Sequence, residues 1–172
     1  MSEADTPWSR LASRVARVAL ARKDVTYAAL ADALAADGST DGERALVSRI
    51  SRGTLKLSLL LQIISITCAT PPQRWTQALS RKGSWEQKAH DVIASELARQ
   101  PTNDISELSR RLARVGASLP VKTLEANIAT GSMPLALFLQ LLLVLNSDSL
   151  ERYVDYDDLL DAAKATSLDE SD

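Results

Sequence analysis

Two arginines lie on one helical turn in the stretch SRISRGTLKLSLLLQ, residues 48–62, directly before a glycine and an apolar run. Arginine can donate two parallel hydrogen bonds to guanine, and lysine and hydroxyl groups suit phosphate oxygens. Helical spacing turns Leu46, Val47 and Ile50 inward. The outer face of this helix and the turn after it then carry the side chains that could bind DNA: Arg44, Ser48, Arg49, Arg52 and Lys56.

A second stretch, ANIATGSMPLALFLQ at residues 126–140, repeats the apolar skeleton Ile-x-x-Gly-x-x-x-Leu-x-Leu-x-Leu-Gln without the arginines. With an offset of 78, residues 27–64 and their counterparts share 11 identities in 38 positions, mostly at apolar and glycine sites. Core and turns are retained while the surface differs, so the chain is a tandem duplication of one unit. In the second copy the outer face carries Lys122, Glu125, Ala126, Asn127 and Thr130.

Each unit is predicted to be all-α, with four or five helices. Apolar residues recur at helical spacing, no segment alternates as a strand does, and the abundant alanine and leucine favour helix. Gly53 is suited to end the third helix, and residues 57–67 are apolar on nearly every side, as in a central helix. The predicted domains are residues 1–82, residues 83–165, and a disordered tail at residues 166–172.

The second and third helices of the first copy resemble the helix-turn-helix of lambda-repressor-like bacterial and phage regulators. Leu30-Ala31 and the Ser-Arg-Ile-x-x-Gly sequence at residues 48–53 match that family's positions, and the leucine-rich helix that follows matches its packing helix. The resemblance implies a DNA recognition helix in the first unit. The chain also resembles an uncharacterised bacterial domain family with an initial tryptophan, VTYA-x-LA in its middle and Arg-Gly before an apolar helix.

One departure from the helix-turn-helix is the segment DGSTDGER, where three or four residues are usual. Either the turn is lengthened or the recognition helix approaches DNA at a different angle. We assign Arg49 to a base edge, and we assign Arg52, Lys56 and the hydroxyls of Thr26 and Tyr27 to phosphates.

The residues that enzymes use are sparse. One cysteine and one histidine can form neither a disulfide nor a zinc site, and no phosphate loop, acid pair or nucleophile–base set is present. Cys68 lies among apolar residues, which predicts a buried thiol. The longest apolar run is too short to span a membrane, and the acidic N-terminus is unlike a signal peptide. We expect a cytoplasmic protein with no catalytic residue, cofactor or metal.

Charge is distributed unevenly. Residues 1–82 contain 12 basic and 7 acidic side chains, whereas residues 83–172 contain 8 and 15, so a net +5 joins a net −7. This asymmetry favours a polyanion as partner of the first half. Two solvated helical faces of different charge would give the same totals.

The predicted function is a sequence-specific, DNA-binding transcriptional regulator. DNA regulators are commonly two-fold dimers, so we assign residues 83–165 to homodimerisation. The acidic terminal segment would contribute an apolar side formed by Leu150, Tyr153, Val154, Leu159 and Leu160. Alternatively, the second copy binds another protein or only stabilises the first. The whole chain could also be a helical protein-interaction module, adaptor or antitoxin-like, without DNA contact.

Overall fold

The computed structural model describes residues 5–101 and 104–169, and over these residues the chain is all-helical, as predicted. Every helix in this part of the chain is too short or too polar to traverse a lipid bilayer. Within residues 5–101 and 104–169, one 3₁₀ turn (Gln73–Trp75) accompanies ten α-helices: α1 (Pro7–Ala21), α2 (Tyr27–Ala36), α3 (Glu43–Arg52), α4 (Leu57–Ile66), α5 (Thr76–Ser80), α6 (Trp85–Leu97), α7 (Ile105–Ala113), α8 (Val121–Thr130), α9 (Leu135–Val144) and α10 (Tyr156–Asp169).

The predicted duplication is confirmed by matching helix ends. Thr6 and Ser84 are the N-caps of α1 and α6, and both form a capping box. The side chain of the cap accepts the backbone N–H of the third helical residue, and the side chain of that residue accepts the backbone N–H of the cap. Gly53 and Gly131 end α3 and α8 with φ of 67° and 65°, in the left-handed region that favours glycine. Each copy therefore begins and ends its helices by the same local rules.

The first helix of each copy packs against the fourth helix of the other copy. α1 lies on α9, and α6 lies on α4. Because α4 and α9 are apolar on nearly every side, each can be covered from both copies, and the buried residues form one continuous cluster from Trp8 to Ala162. The two units are thus intertwined around a single hydrophobic core.

A local two-fold axis relates the copies. Leu57 donates its backbone N–H to Met133 O at 3.0 Å, and Leu135 donates to Leu55 O at 2.9 Å. These are equivalent pairs under the offset of 78, and they form an isolated antiparallel bridge between Lys56 and Pro134. The axis therefore passes through the bridge, between the N-termini of α4 and α9.

The tryptophans at the start of each copy follow the same symmetry. Trp8 Nε1 donates to Val115 O at 2.9 Å, and Trp85 Nε1 donates to Asp37 Oδ2 at 2.9 Å. Position 115 is the counterpart of position 37, so each indole holds the loop after the second helix of the opposite copy. These hydrogen bonds tie the copies together in addition to the bridge.

Helix α10 is the counterpart of α5, extended to Asp169. Residues 166–169 are helical rather than part of the disordered tail predicted for residues 166–172, and residues 170–172 lie outside the described residues. The helix continues because the Thr166 hydroxyl donates to Ala162 O and its methyl group lies over Gly116. This end of α10 is therefore anchored on the loop between α7 and α8.

The apolar side that we assigned to homodimerisation is mostly buried within the chain. Its residues pack where α10 and the preceding turn meet α1 and α9, and only Leu160 has more than a third of its surface exposed. The reason is the exchange of helices, which the repeat pattern alone does not reveal. The buried residues are Leu150, Tyr153, Val154 and Leu159.

Candidate nucleic-acid interface

The cationic face consists of Arg44, Ser48, Arg49 and Arg52 on α3 together with Lys56, which precedes α4. Leu46 and Ile50 are buried and fix the rotation of α3, so residues 44, 48 and 52 share one outward line. Arg44, Arg52 and Lys56 are exposed, and within the described residues their side chains make no hydrogen bond or ion pair. Three cations of this face are therefore free to meet an anion.

Arg49 is held differently. Its Nη1 donates to Asp41 Oδ2 at 2.8 Å, and the two side chains are 39% and 37% exposed. The pair connects α3 to the loop before it, and an ion pair this exposed contributes only about 0.2–1 kcal/mol. Arg49 can reach a base edge only by leaving Asp41, so its predicted role requires a rearrangement.

The remaining predicted site residues lie at the edge of this face or away from it. Thr26 is exposed, but its hydroxyl accepts the Ala29 N–H as the N-cap of α2. Tyr27 and Ser48 are half-buried, and Tyr27 packs against the core. Thr26 and Tyr27 lie at the start of α2, and in the part of the structure described no hydrogen bond joins them to the cationic side chains.

The loop between α2 and α3 spans residues 37–42, six residues. It is longer than a standard helix-turn-helix turn, and it carries Asp37 and Asp41, with Glu43 in the first turn of α3. Carboxylates stabilise a helix N-terminus but repel phosphate. The positive charge of the face is therefore concentrated at the C-terminal end of α3, towards Arg52 and Lys56.

The arginines of α1 add less positive charge than their number suggests. Arg10 pairs with Asp5 at 2.8 Å, and Arg14 pairs with Asp158 of α10. Arg17 is exposed and has no partner among the residues described. Helix α10 therefore neutralises part of the field of α1.

A buried polar cluster around Glu96 was not predicted from the sequence. Glu96 on α6 is fully buried, and its carboxylate accepts hydrogen bonds from Trp75 Nε1 at 2.7 Å, from Ser147 Oγ at 2.8 Å and from Ser149 Oγ. Three donors compensate the cost of burying this group. The cluster links the 3₁₀ turn of the first copy to the turn after α9. Its sequence signal is that Glu96 aligns with Ala19, a buried position of the first copy, under the offset of 77 that pairs Trp85 with Trp8.

Replacing Glu96 with alanine is expected to lower the free energy of unfolding by about 1–3 kcal/mol, because the buried indole N–H and serine hydroxyls lose their acceptor. Urea denaturation followed by circular dichroism measures the change. Glu86→Ala serves as the control, because Glu86 lies on the same helix but is exposed. It should change the free energy of unfolding by about a few tenths of a kcal/mol, as surface substitutions usually do. Equal stability of the two variants would show that the cluster does not hold the turn.

One surface cleft brings together two groups with shifted pKa values. A cleft of about 570 Å³ is lined by Arg74, Asp148, Arg152 and Tyr153, among others. The hydrogen bond from Arg74 lowers the pKa of Asp148, and burial raises the pKa of Tyr153. Both shifts move the pKa of the group further from neutral pH.

His90 and Cys68 have structural explanations. His90 Nδ1 lies 2.7 Å from Ile128 O, to which it donates, and it joins α6 to α8. Cys68 is exposed rather than buried as predicted, because it ends α4 in the left-handed conformation with φ of 52°. Its counterpart Asn146 has φ of 51°, so both copies turn their chain outward at this position.

Each of the two copies matches the same protein family. The model of a family described as a domain of unknown function, DUF6471, matches residues 8–70 and again residues 85–150. The chain belongs to the DUF6471 family. No curated protein and no solved structure matches it. The expected tandem copies of an uncharacterised domain family are thereby confirmed.

The DUF6471 copies use the same helical frame for two different outer faces. Where the first copy has Arg44, Arg49, Arg52 and Lys56, the second has Lys122, Asn127, Thr130 and Pro134. Glu125 also replaces Val47 and is exposed. Counting these positions, the face carries four positive charges in the first copy and none net in the second. The net positive charge of this face is therefore confined to the first copy.

Proposed function

We propose that the chain is a non-enzymatic, sequence-specific DNA-binding protein, a transcriptional regulator of bacterial or phage type that acts in the cytoplasm. The observation that carries the proposal is the cationic face, where Arg44, Arg52 and Lys56 are exposed and unpaired in the part of the chain described. Lys56 and Arg52 suit phosphate oxygens, and Arg44 is free to reach a guanine edge. The resemblance of α2 and α3 to a helix-turn-helix supports the same function.

The two-fold arrangement common in DNA regulators exists here within one chain. Each DUF6471 copy completes the core of the other, as protomers do in an intertwined dimer. We infer that a single chain suffices for binding, with double-stranded DNA as its partner. A homodimer through residues 83–165 would need a surface other than the buried apolar residues of the terminal segment.

Binding to DNA should weaken steeply as salt is raised, because each neutralised phosphate releases counterions and adds about −0.9 to the log–log slope. Three free cations predict a slope of about −2.7 or steeper for the full chain. Mobility shifts with genomic DNA fragments at several salt concentrations measure it. Absence of retardation at low salt would contradict the proposal and would favour a protein-interaction module instead.

A further inference from the structure

The relation between the two faces is set by the bridge. Residues 53–55 separate Arg52 from Lys56, so the C-terminal end of α3 lies within about 14 Å of the axis, taking at most ~3.5 Å per residue. By the same spacing Thr130, at the end of α8, lies as close on the other side. Lys56 is exposed and Pro134 half-exposed, so the axis reaches the solvent between the two faces.

DNA-binding proteins with two-fold symmetry present the same side chains to both halves of a site, and the sites that they select are palindromic. In this chain the backbone keeps the symmetry while the side chains break it. Arg52 and Lys56 of the first copy correspond to Thr130 and Pro134, and Arg49 corresponds to Asn127. The second face retains one exposed cation, Lys122, opposed by Glu125 three residues later.

We infer that this chain recognises an asymmetric DNA site, bound by one chain per site through the first copy alone. The inference rests on the proposed function. The second copy supplies the helices that complete the core, and its face lies across the axis without phosphate contacts. Loss of two to three cations on one side removes that many counterion-release contacts from the second half-site.

In-vitro selection from duplexes with a random core tests the inference with the full chain. The wild-type protein should enrich a non-palindromic sequence, and sedimentation of the selected duplex with protein should show one chain per duplex. An inverted repeat, or two chains per duplex, would overturn the inference while leaving DNA binding intact. No enrichment at low salt would overturn both the inference and the proposed function.

Restoring the missing charges gives an independent readout. Thr130→Arg with Pro134→Lys should steepen the salt slope by about 1.8 on any duplex long enough to reach the second face, because phosphate contacts do not depend on sequence, and should leave the slope unchanged on a duplex that ends at the axis. Ala126→Arg, at an exposed position of α8, provides a second variant and should add about 0.9. If neither folded variant steepens the salt slope on the longer duplex, the two faces are not related as inferred.

Discussion

Gly53→Ala is expected to lower the free energy of unfolding by about 3–5 kcal/mol, one of the largest effects of any single substitution in the chain. A methyl group at this position would lie 1.7 Å from the carbonyl oxygen of Ser9, which is backbone and cannot move aside alone. The residue also has φ of 67°, where a side chain costs about 1–2 kcal/mol. α1 and α3 would therefore have to separate, and α1 carries the contact with the second copy.

Two other glycines separate these causes. Gly38 has φ of 93° and open space where a methyl group would lie, so Gly38→Ala should show the backbone cost alone. Gly42 has φ of −77° and open space, so Gly42→Ala should be nearly neutral apart from its place before α3. Urea denaturation of the three variants measures the order. Equal losses at Gly53 and Gly38 would contradict the close crossing of α1 and α3.

Gly131→Ala repeats the experiment in the second copy, where the methyl group would lie 1.8 Å from Glu86 O. If one core unites the copies, either substitution should destabilise the whole chain in a single transition. Separate transitions would show that the copies unfold independently.

Much of the fold was accessible from the sequence because local rules determine it. Helical periodicity and the terminal Gly53 are each decided within a few residues, and the duplication follows from the repeated apolar skeleton. The exchange of first helices was not accessible. An apolar face on α1 packs equally well on α4 or on α9, whose sequences share the same pattern, so periodicity cannot choose between them.

The candidate site was predictable in its charge but not in its pairing. The outward positions of Arg44 and Arg52 follow from helical spacing. The partner of Arg49 is Asp41, eight residues earlier in an irregular loop, where no periodic rule gives the geometry. The end of α10 likewise depends on a contact with Gly116, 50 residues before Thr166. Long-range contacts of this kind are what sequence patterns do not contain.

The largest expected effect on DNA affinity comes from a double substitution on the cationic face. Removing both free cations nearest the axis, with Arg52→Ala and Lys56→Ala together, is expected to weaken binding to a selected duplex by about 10- to 100-fold at low salt. It should also make the salt slope shallower by about 1.8, because two phosphate contacts are lost. Both side chains are exposed and unpaired in the described chain, so the fold should be unaffected, and circular dichroism checks this.

The matched control removes the same charge from the second copy. Arg114 and Lys122 are exposed, and their side chains have no partner in the described ranges 5–101 and 104–169. Arg114→Ala with Lys122→Ala therefore lowers net charge equally without touching the cationic face. A general electrostatic attraction would respond equally to both double substitutions.

Fluorescence anisotropy of a labelled duplex, titrated with wild type and the two double variants over a range of salt, is the most direct test that the first copy alone contacts DNA. We expect the Arg52/Lys56 variant to lose affinity and salt dependence, and the Arg114/Lys122 variant to bind like wild type within about twofold. Equal losses in both variants, or a larger loss in the second, would contradict the assignment of DNA binding to the cationic face.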